Sequence, residues 1–517
     1  MNTIDTDVLV IGSGFGAAAP ALRLAEAGLT VTIIEKGPDI VPERDFRQTQ
    51  DPGYLLAYLK GEGSDTVSFT YAEALGGGSG FYEMVSLRAP SIAFEQRDAF
   101  GRRLWPHGID RRSLDPYFDE AERMLNVEQI GVDEIPKSGV AFAMLMKNLG
   151  YSCDRARYAV RGCVGSGFCI SGCLFGAKQS LHLNYLPAIT AAGARVMTGL
   201  EAIDIRTIAT VRSTHASNGD IDTIPLRYVV QCRGTAGEMQ VRAKIVVLGG
   251  GTIGTAKLLL RSRPYLRRLS AHVGRNIAFN GSVKAVGILP EGFIEGDMAT
   301  GRSHPGMISY QFLEERGITV SSIKPLPITL VGTAHLALDR GHGHETYWGE
   351  SHVEMMKISR RRMIVLYALG LTPPGAGIRR LGNGEFEPWL DIDETLARYY
   401  HETSGLLDSI LSRNGCEIVR AKTIDAEGTE NGAIHFDTSH MIGSCRMADT
   451  RDNGVVDASG EVFGYPGLYV SDGAAVPTSL AVNSSLTILA NAERIARGMV
   501  MRYGGATAPS LTETSPP

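Results

Sequence analysis

Residues 5–37, DTDVLVIGSGFGAAAPALRLAEAGLTVTIIEKG, constrain the fold of this chain more than any other stretch. Residues 8–11 form a short apolar run suited to a central parallel strand. Gly12, Gly14 and Ala17 then satisfy the G-x-G-x-x-G/A fingerprint, with Ser13, Phe15 and a further small residue, Gly16, between them. The first glycine makes the tight turn, the second lets backbone approach a pyrophosphate, and Ala17 allows close helix–strand packing. The helix that follows presents the positive end of its dipole to the phosphates, and Ala21 and Gly28 keep its sheet-facing side thin. The next strand, 29–34, ends in Glu35 with Lys36 beside it, where an acidic residue grips a ribose hydroxyl. On a strand–turn–helix–strand unit these glycines read as a dinucleotide-binding turn rather than as ordinary loop residues.

A chain of 517 residues is too long for one simple core, so two domains are expected. Its net charge of −5 leaves no basic footprint for nucleic acid. The longest apolar runs, such as 363–371, fall far short of the roughly 20 residues that span a bilayer. Asp5 and Asp7 stand where the apolar part of a signal peptide would lie, which leads us to expect a cytoplasmic protein. Seven scattered cysteines do not suggest a secreted disulfide framework. Cys163, Cys169 and Cys173 cluster, but without a C-x-x-C pair or neighbouring histidines, so they read as a buried thiol-lined loop near the cofactor and no metal is expected.

The domains look interleaved. After the first unit, EALGGGSGFYEMVSLRAP at 73–90 carries Gly76, Gly77, Gly78 and Ser79 in sequence, as backbone wrapped closely around a ligand would. Residues 91–159 look mostly helical, with Asp115-Pro116 opening one helix through a proline at its first position. A helix followed by a strand is expected over 178–203. Strand, glycine turn and helix then recur in AKIVVLGGGTIGTAKLLLRS, 243–262, with Gly250 in the turn. That recurrence implies that the chain re-enters the first sheet, with 245–248 parallel to 8–11. Strand-like pieces and a helix near 392–413 fill 291–434, and the closing 506–517 has the composition of a disordered tail. The expected division is therefore a cofactor-binding domain from 1–90, 160–290 and 435–505, and a substrate domain from 91–159 and 291–434.

Six segments are similar to the glucose–methanol–choline (GMC) oxidoreductases, in their bacterial cholesterol oxidase-like branch. They are IGSGFGA (11–17), GGGS (76–79), CLFGAKQSLHLNYLP (173–187), LGGGTIGTAKLLLRS (248–262), HMIGSCRM (440–447) and GVVDASGEVFGYPGLYVSDGAAVPTSLAVNSSLTILANAERIA (454–496). The resemblance implies an α/β fold, with a Rossmann-like FAD-binding domain and an α+β substrate-binding domain. FAD would be held noncovalently, or covalently if a histidine is suitably placed. It also implies adenine contacts from the backbone of Ala202, and ribityl–pyrophosphate contacts from Asp472 and Gly473. Near the flavin edge this chain has Tyr82, Glu83 and Met84, where many relatives carry an asparagine shortly after GGGS.

The same resemblance makes His440 and Asn483 the catalytic pair of an alcohol oxidoreductase. Oxidising an alcohol removes a hydroxyl proton and a carbon-bound hydride together. Imidazole is the side chain whose ordinary pKa suits it to take the proton near neutral pH. An amide donor such as Asn483 stabilises a developing alkoxide and does not titrate. Asn483 could also serve as a helix N-cap. A helix starting at Asn483, Ser484 and Ser485 would turn its positive end to the reduced cofactor. Glu354 and Glu385 are candidates for a second acid–base group, and His435 reads as structural. The expected product is an aldehyde or ketone, with dioxygen or another acceptor taking the electrons. A bulky sterol- or terpenoid-like alcohol comes first as substrate and a sugar or glycoside second. A lyase that keeps FAD without net redox change is a third reading.

Overall fold

The computed structural model describes residues 2–49, 51–208, 221, 224–235, 237–298, 300–324, 349–419 and 434–504. The tail expected at 506–517 lies outside the described residues. Two sheets organise the molecule. The first runs Arg195–Met197, Val31–Ile34, Asn2–Ile11, Gly237–Leu248, and then divides. The carboxyl end of Gly237–Leu248 pairs in parallel with Leu468–Val470, and most of the strand pairs antiparallel with Tyr228–Gly234, which is followed by Leu200–Thr207. Residues 8–11, 31–34, 245–248 and 468–470 of the parallel strands are buried, and helices Phe15–Glu26 and Ser485–Tyr503 pack against each other beside them. Val8 pairs with Ile245 and Ile11 with Leu248 in parallel register, so the second glycine turn does return the chain to the first sheet.

The second sheet is antiparallel throughout, in the order Glu417–Val419, Val283–Ile288, Met363–Gly370, Ile318–Ile323, Met307–Ser309 and Asp154–Arg155. One face carries Val283, Ala285, Val320, Ile364, Leu366 and Ala368 into a core closed by Leu407 and Leu411 of helix Glu394–Arg413. The other face turns Lys284, Tyr367 and Ile323 toward the first sheet. The alternation of a strand with one buried face sets this register.

Several expectations need correcting. Val283–Ile288, expected to close a cofactor-binding segment at 290, belongs to the second sheet. Helix Arg111–Met124, expected with the substrate half, packs on Ser485–Tyr503 and buries Leu114, Phe118 and Ala121 there. That helix starts before Pro116, because Asp110 and Ser113 form a reciprocal capping box, and the proline is carried inside it. Gly28 does not thin a contact, since nothing lies within 4 Å of where its Cβ would stand; its φ of +84° supplies the left-handed turn after the helix.

Candidate active site

The carboxyl ends of the parallel strands converge on one cavity of about 820 Å³, the position at which open α/β sheets take their ligands. Each strand delivers its turn there: Gly12 to Gly16 after the first, Glu35 and Lys36 after the second, Gly249 to Gly251 after the returning strand, and Asp472-Gly473 after the last. Glycine is demanded by contact. A Cβ on Gly12, whose φ is +97°, would lie 2.3 Å from the Gly249 carbonyl oxygen, and one on Gly16 would lie 2.2 Å from Asp472 Cα. Gly14 differs, because its nearest neighbour is Gly77 Cα at 3.9 Å and its open side faces the cavity.

Polar bonds lock the turns together. Ser13 Oγ donates to Glu35 at 2.6 Å and accepts from the Gly76 N–H at 2.9 Å, joining the first turn to the GGGS turn. Burial raises the pKa of the Glu35 carboxyl, against the opposing bonds from Ser13 and the Gly37 N–H. Asp472 accepts from the Gly251 N–H at 2.8 Å, Thr255 Oγ at 2.6 Å and the Ala474 N–H at 2.8 Å. Burial nevertheless pushes its pKa up to about 6. Gly77, Gly78, Tyr82, Ala202, Gly250, Gly473, Ser484 and Ser485 also line the cavity. Two expected contacts do not. Ser79 is fully buried, donates to the Gly76 carbonyl and accepts from the Leu181 N–H, so it shapes the turn; Met84, at a φ of +62°, turns into the core.

His440 follows strand Phe436–Thr438, and its own N–H bonds Thr438 Oγ at 2.9 Å. Asn483 ends a buried loop held by Asn280, which accepts from the Leu480 N–H at 2.6 Å and donates to the Val482 carbonyl at 2.7 Å. The two side chains meet, with Asn483 Nδ2 donating to His440 Nε2 at 3.1 Å. In that tautomer Nδ1 carries the ring proton and faces Tyr367 Oη at 3.5 Å. Desolvation, and next the charge of Lys284, push the His440 pKa down to about 4, so the ring is neutral at neutral pH. Asn483 is not the helix cap, since Ser484 occupies that position. Lys284, Tyr367 and Glu83 complete the surroundings of the pair.

Glu354 is exposed and pairs with Lys357 at 2.6 Å, and Glu385 sits in an exposed hairpin turn beside Asn383; neither lines the cavity. His435 joins two strands through Ser68 Oγ and the Asp65 carbonyl, each at 2.9 Å, a structural role. Cys163, Cys169 and Cys173 are half-buried rather than buried. Among the described residues no group of histidine, cysteine, aspartate and glutamate is placed to hold a metal.

A doubly glycine-lined cavity at the ends of a parallel sheet, with an imidazole–amide pair at one wall, defines a dinucleotide-dependent enzyme. The chain belongs to the GMC oxidoreductase family, whose N-terminal model matches residues 7–279 and whose C-terminal model matches 395–492. It is similar to a cholesterol oxidase of Mycobacterium tuberculosis (strain ATCC 25618 / H37Rv), 28% identical over 95% of this chain and 90% of that one. It is also similar to a 2-methyl-1,2-propanediol dehydrogenase of Mycolicibacterium austroafricanum, 25% identical over 95% of this chain and 94% of that one. The fold matches formate oxidase of Aspergillus oryzae RIB40 at a TM-score of 0.66 and 15% identity, covering 97% of this chain and 99% of that chain.

The protein is thus an FAD-dependent oxidoreductase acting on CH–OH groups. The cavity fits that cofactor. A Cβ on Gly77 would come within 3.0 Å of Gly14 Cα, so the two turns face each other this closely only while Gly77 lacks a side chain. The Phe15–Glu26 and Ser485–Tyr503 helices also reach the cavity with no side-chain cap, leaving N–H groups for a phosphate or an electron-rich ring. Among the described residues no helix is long and apolar enough to cross a membrane.

Proposed function

We propose that His440 is the base that takes the hydroxyl proton of an alcohol, with Asn483 holding the oxygen, to give an aldehyde or ketone. The observation that carries this reading is the 3.1 Å bond between the two side chains on the wall of the cofactor cavity. A hydroxyl entering between them receives the Asn483 N–H on its oxygen and points its proton at Nε2. The neutral ring has that lone pair free once Asn483 turns to the substrate, and a Tyr367 hydroxyl stands behind Nδ1 to hold the ring. FAD, when bound, supplies the acceptor for the hydride at N5. The same reading divides the chain between a cofactor-holding half on the parallel sheet and a substrate-facing half on the antiparallel one. Dioxygen or another acceptor then takes the electrons.

Anaerobic mixing of the yellow enzyme with a panel of alcohols tests the reading. Likeness to a cholesterol oxidase puts sterols and other bulky secondary alcohols in the panel, with sugars beside them. At least one alcohol is expected to bleach the flavin absorbance. A protein that stays yellow with every alcohol while splitting one of them would instead be a lyase.

A further inference from the structure

Three lysines line the cavity, and among the described residues only one lacks an ion pair. Lys36 pairs with Glu73 at 2.7 Å and Lys257 pairs with Glu62. Arg261 is likewise matched by Glu201 at 3.1 Å. Lys284 makes no hydrogen bond and no ion pair among the described residues, although it is exposed to the cavity. Its direction is fixed by the strand: Val283 and Ala285 on either side are buried in the helix-covered core, so Lys284 must point the other way. It stands directly opposite Tyr367 in the sheet, and Tyr367 Oη is the group 3.5 Å from His440 Nδ1. Its charge is felt at His440. Among the described residues Lys284 is therefore the one lysine or arginine of the cavity with no hydrogen bond or ion pair, and it lies on the wall that carries Tyr367 and His440.

We propose that the alcohol oxidised here carries a carboxylate, and that Lys284 receives it while His440 and Asn483 take the hydroxyl. The proposal rests on the reading of the pair as an alcohol-oxidising site and names its substrate class, a hydroxy acid. A neutral alcohol would cover the Lys284 ammonium without pairing it, and a buried charge left unmatched is costly. Glu83, on the same wall, forms no ion pair with Lys284, and burial raises the pKa of its carboxyl against the opposing charges of Lys178 and Lys284. Bound carboxylate would also cancel the one charge that weakens His440 as a base. Lys284 is in this account a substrate-positioning residue.

The test uses the FAD-loaded enzyme and two probes of one shape that cannot be oxidised, butyrate and butyramide. Butyrate is expected to perturb the visible flavin spectrum with saturation, at concentrations about 10- to 100-fold below those butyramide needs, the range of one charge-assisted hydrogen bond. Lys284→Met should erase that preference and Lys284→Arg should keep most of it, with FAD content unchanged in both. Among 2-, 3- and 4-hydroxybutyrate, the isomer that bleaches the flavin should show KM raised by the same factor in Lys284→Met, with a far smaller change in kcat. Equal binding of butyrate and butyramide to the wild type, or a preference that survives Lys284→Met, overturns the proposal. The alcohol-oxidising reading fails separately, when no alcohol of any charge bleaches the flavin, and that outcome leaves the butyrate measurement to be read by itself.

Discussion

The two sheets meet the same cavity in different ways. The parallel sheet offers it backbone: turns at Gly12 to Gly16, Gly249 to Gly251 and Asp472-Gly473, packed so closely that a single methyl on Gly12 or Gly16 would fall within 2.3 Å of another turn. The antiparallel sheet offers side chains, Lys284, Tyr367 and Ile323, from strands whose opposite face is ordinary core. Holding a large cofactor through N–H groups needs chain without side chains at fixed spacings, and such needs leave local motifs. Recognising a substrate needs side chains whose meeting depends on strand register, which leaves no local motif. His440 and Asn483 stand at the seam, on loops braced by Asn280 and Tyr367.

The comparison breaks most visibly at the glycines. Gly12→Ala and Gly16→Ala should yield insoluble or colourless protein, because each Cβ meets fixed backbone. Gly14→Ala should fold with a near wild-type melting temperature and still lose FAD affinity, since its Cβ has 3.9 Å of clearance from protein and Gly14 lines the cavity. Flavin absorbance with thermal unfolding separates the two outcomes. If Gly14→Ala holds FAD as tightly as wild type, the backbone-approach account of that turn is wrong.

Changes at the seam should leave the protein yellow and slow its chemistry. Asn483→Ala removes one donor from the developing oxyanion, and flavin reduction should slow on the order of a hundredfold. Asn280→Ala strands the Leu480 N–H and the Val482 carbonyl in a buried loop, at a cost of about 2 kcal/mol in stability. A melting temperature unchanged in that variant would mean the loop is held by its other contacts. The smallest effect is on pH. The active base is neutral imidazole, so reduction is lost as pH falls through the His440 pKa. Because burial and Lys284 hold that pKa near 4, the acidic limb should lie below the 6.5 of an ordinary histidine. A limb at 6.5 or above would show that solvent reaches the ring freely.

How much of this was legible in the sequence follows the same division. Glycine fingerprints gave the parallel sheet and its re-entry, because tight turns admit few residues, and the closing block gave His440 and Asn483. Lys284 and Tyr367 were not found, since each is one residue in an unremarkable strand and acquires its role only by facing its partner across the ladder. Alternation in residues 283–288 was the available signal, a lysine between Val283 and Ala285, yet it reads equally well as a solvent-facing position. Glu354 and Glu385 were named for their chemistry alone, and the fold places both on the exterior. Met84 sits beside cavity residues in sequence but takes a left-handed backbone that turns it into the core.

The central claim, that His440 is the base, is tested most directly by stopped-flow reduction of the flavin in His440→Ala under anaerobic conditions. The same alcohol is used for wild type and variant, and FAD content is measured in both. The imidazole bonds Asn483 and faces Tyr367, both of them protein groups, so FAD should stay bound. Reduction should slow by about two to four orders of magnitude, the usual contribution of a general base. Near wild-type reduction in a variant that retains its flavin would contradict the account and place the base elsewhere, with Glu83 one of the carboxyl residues that line the same cavity.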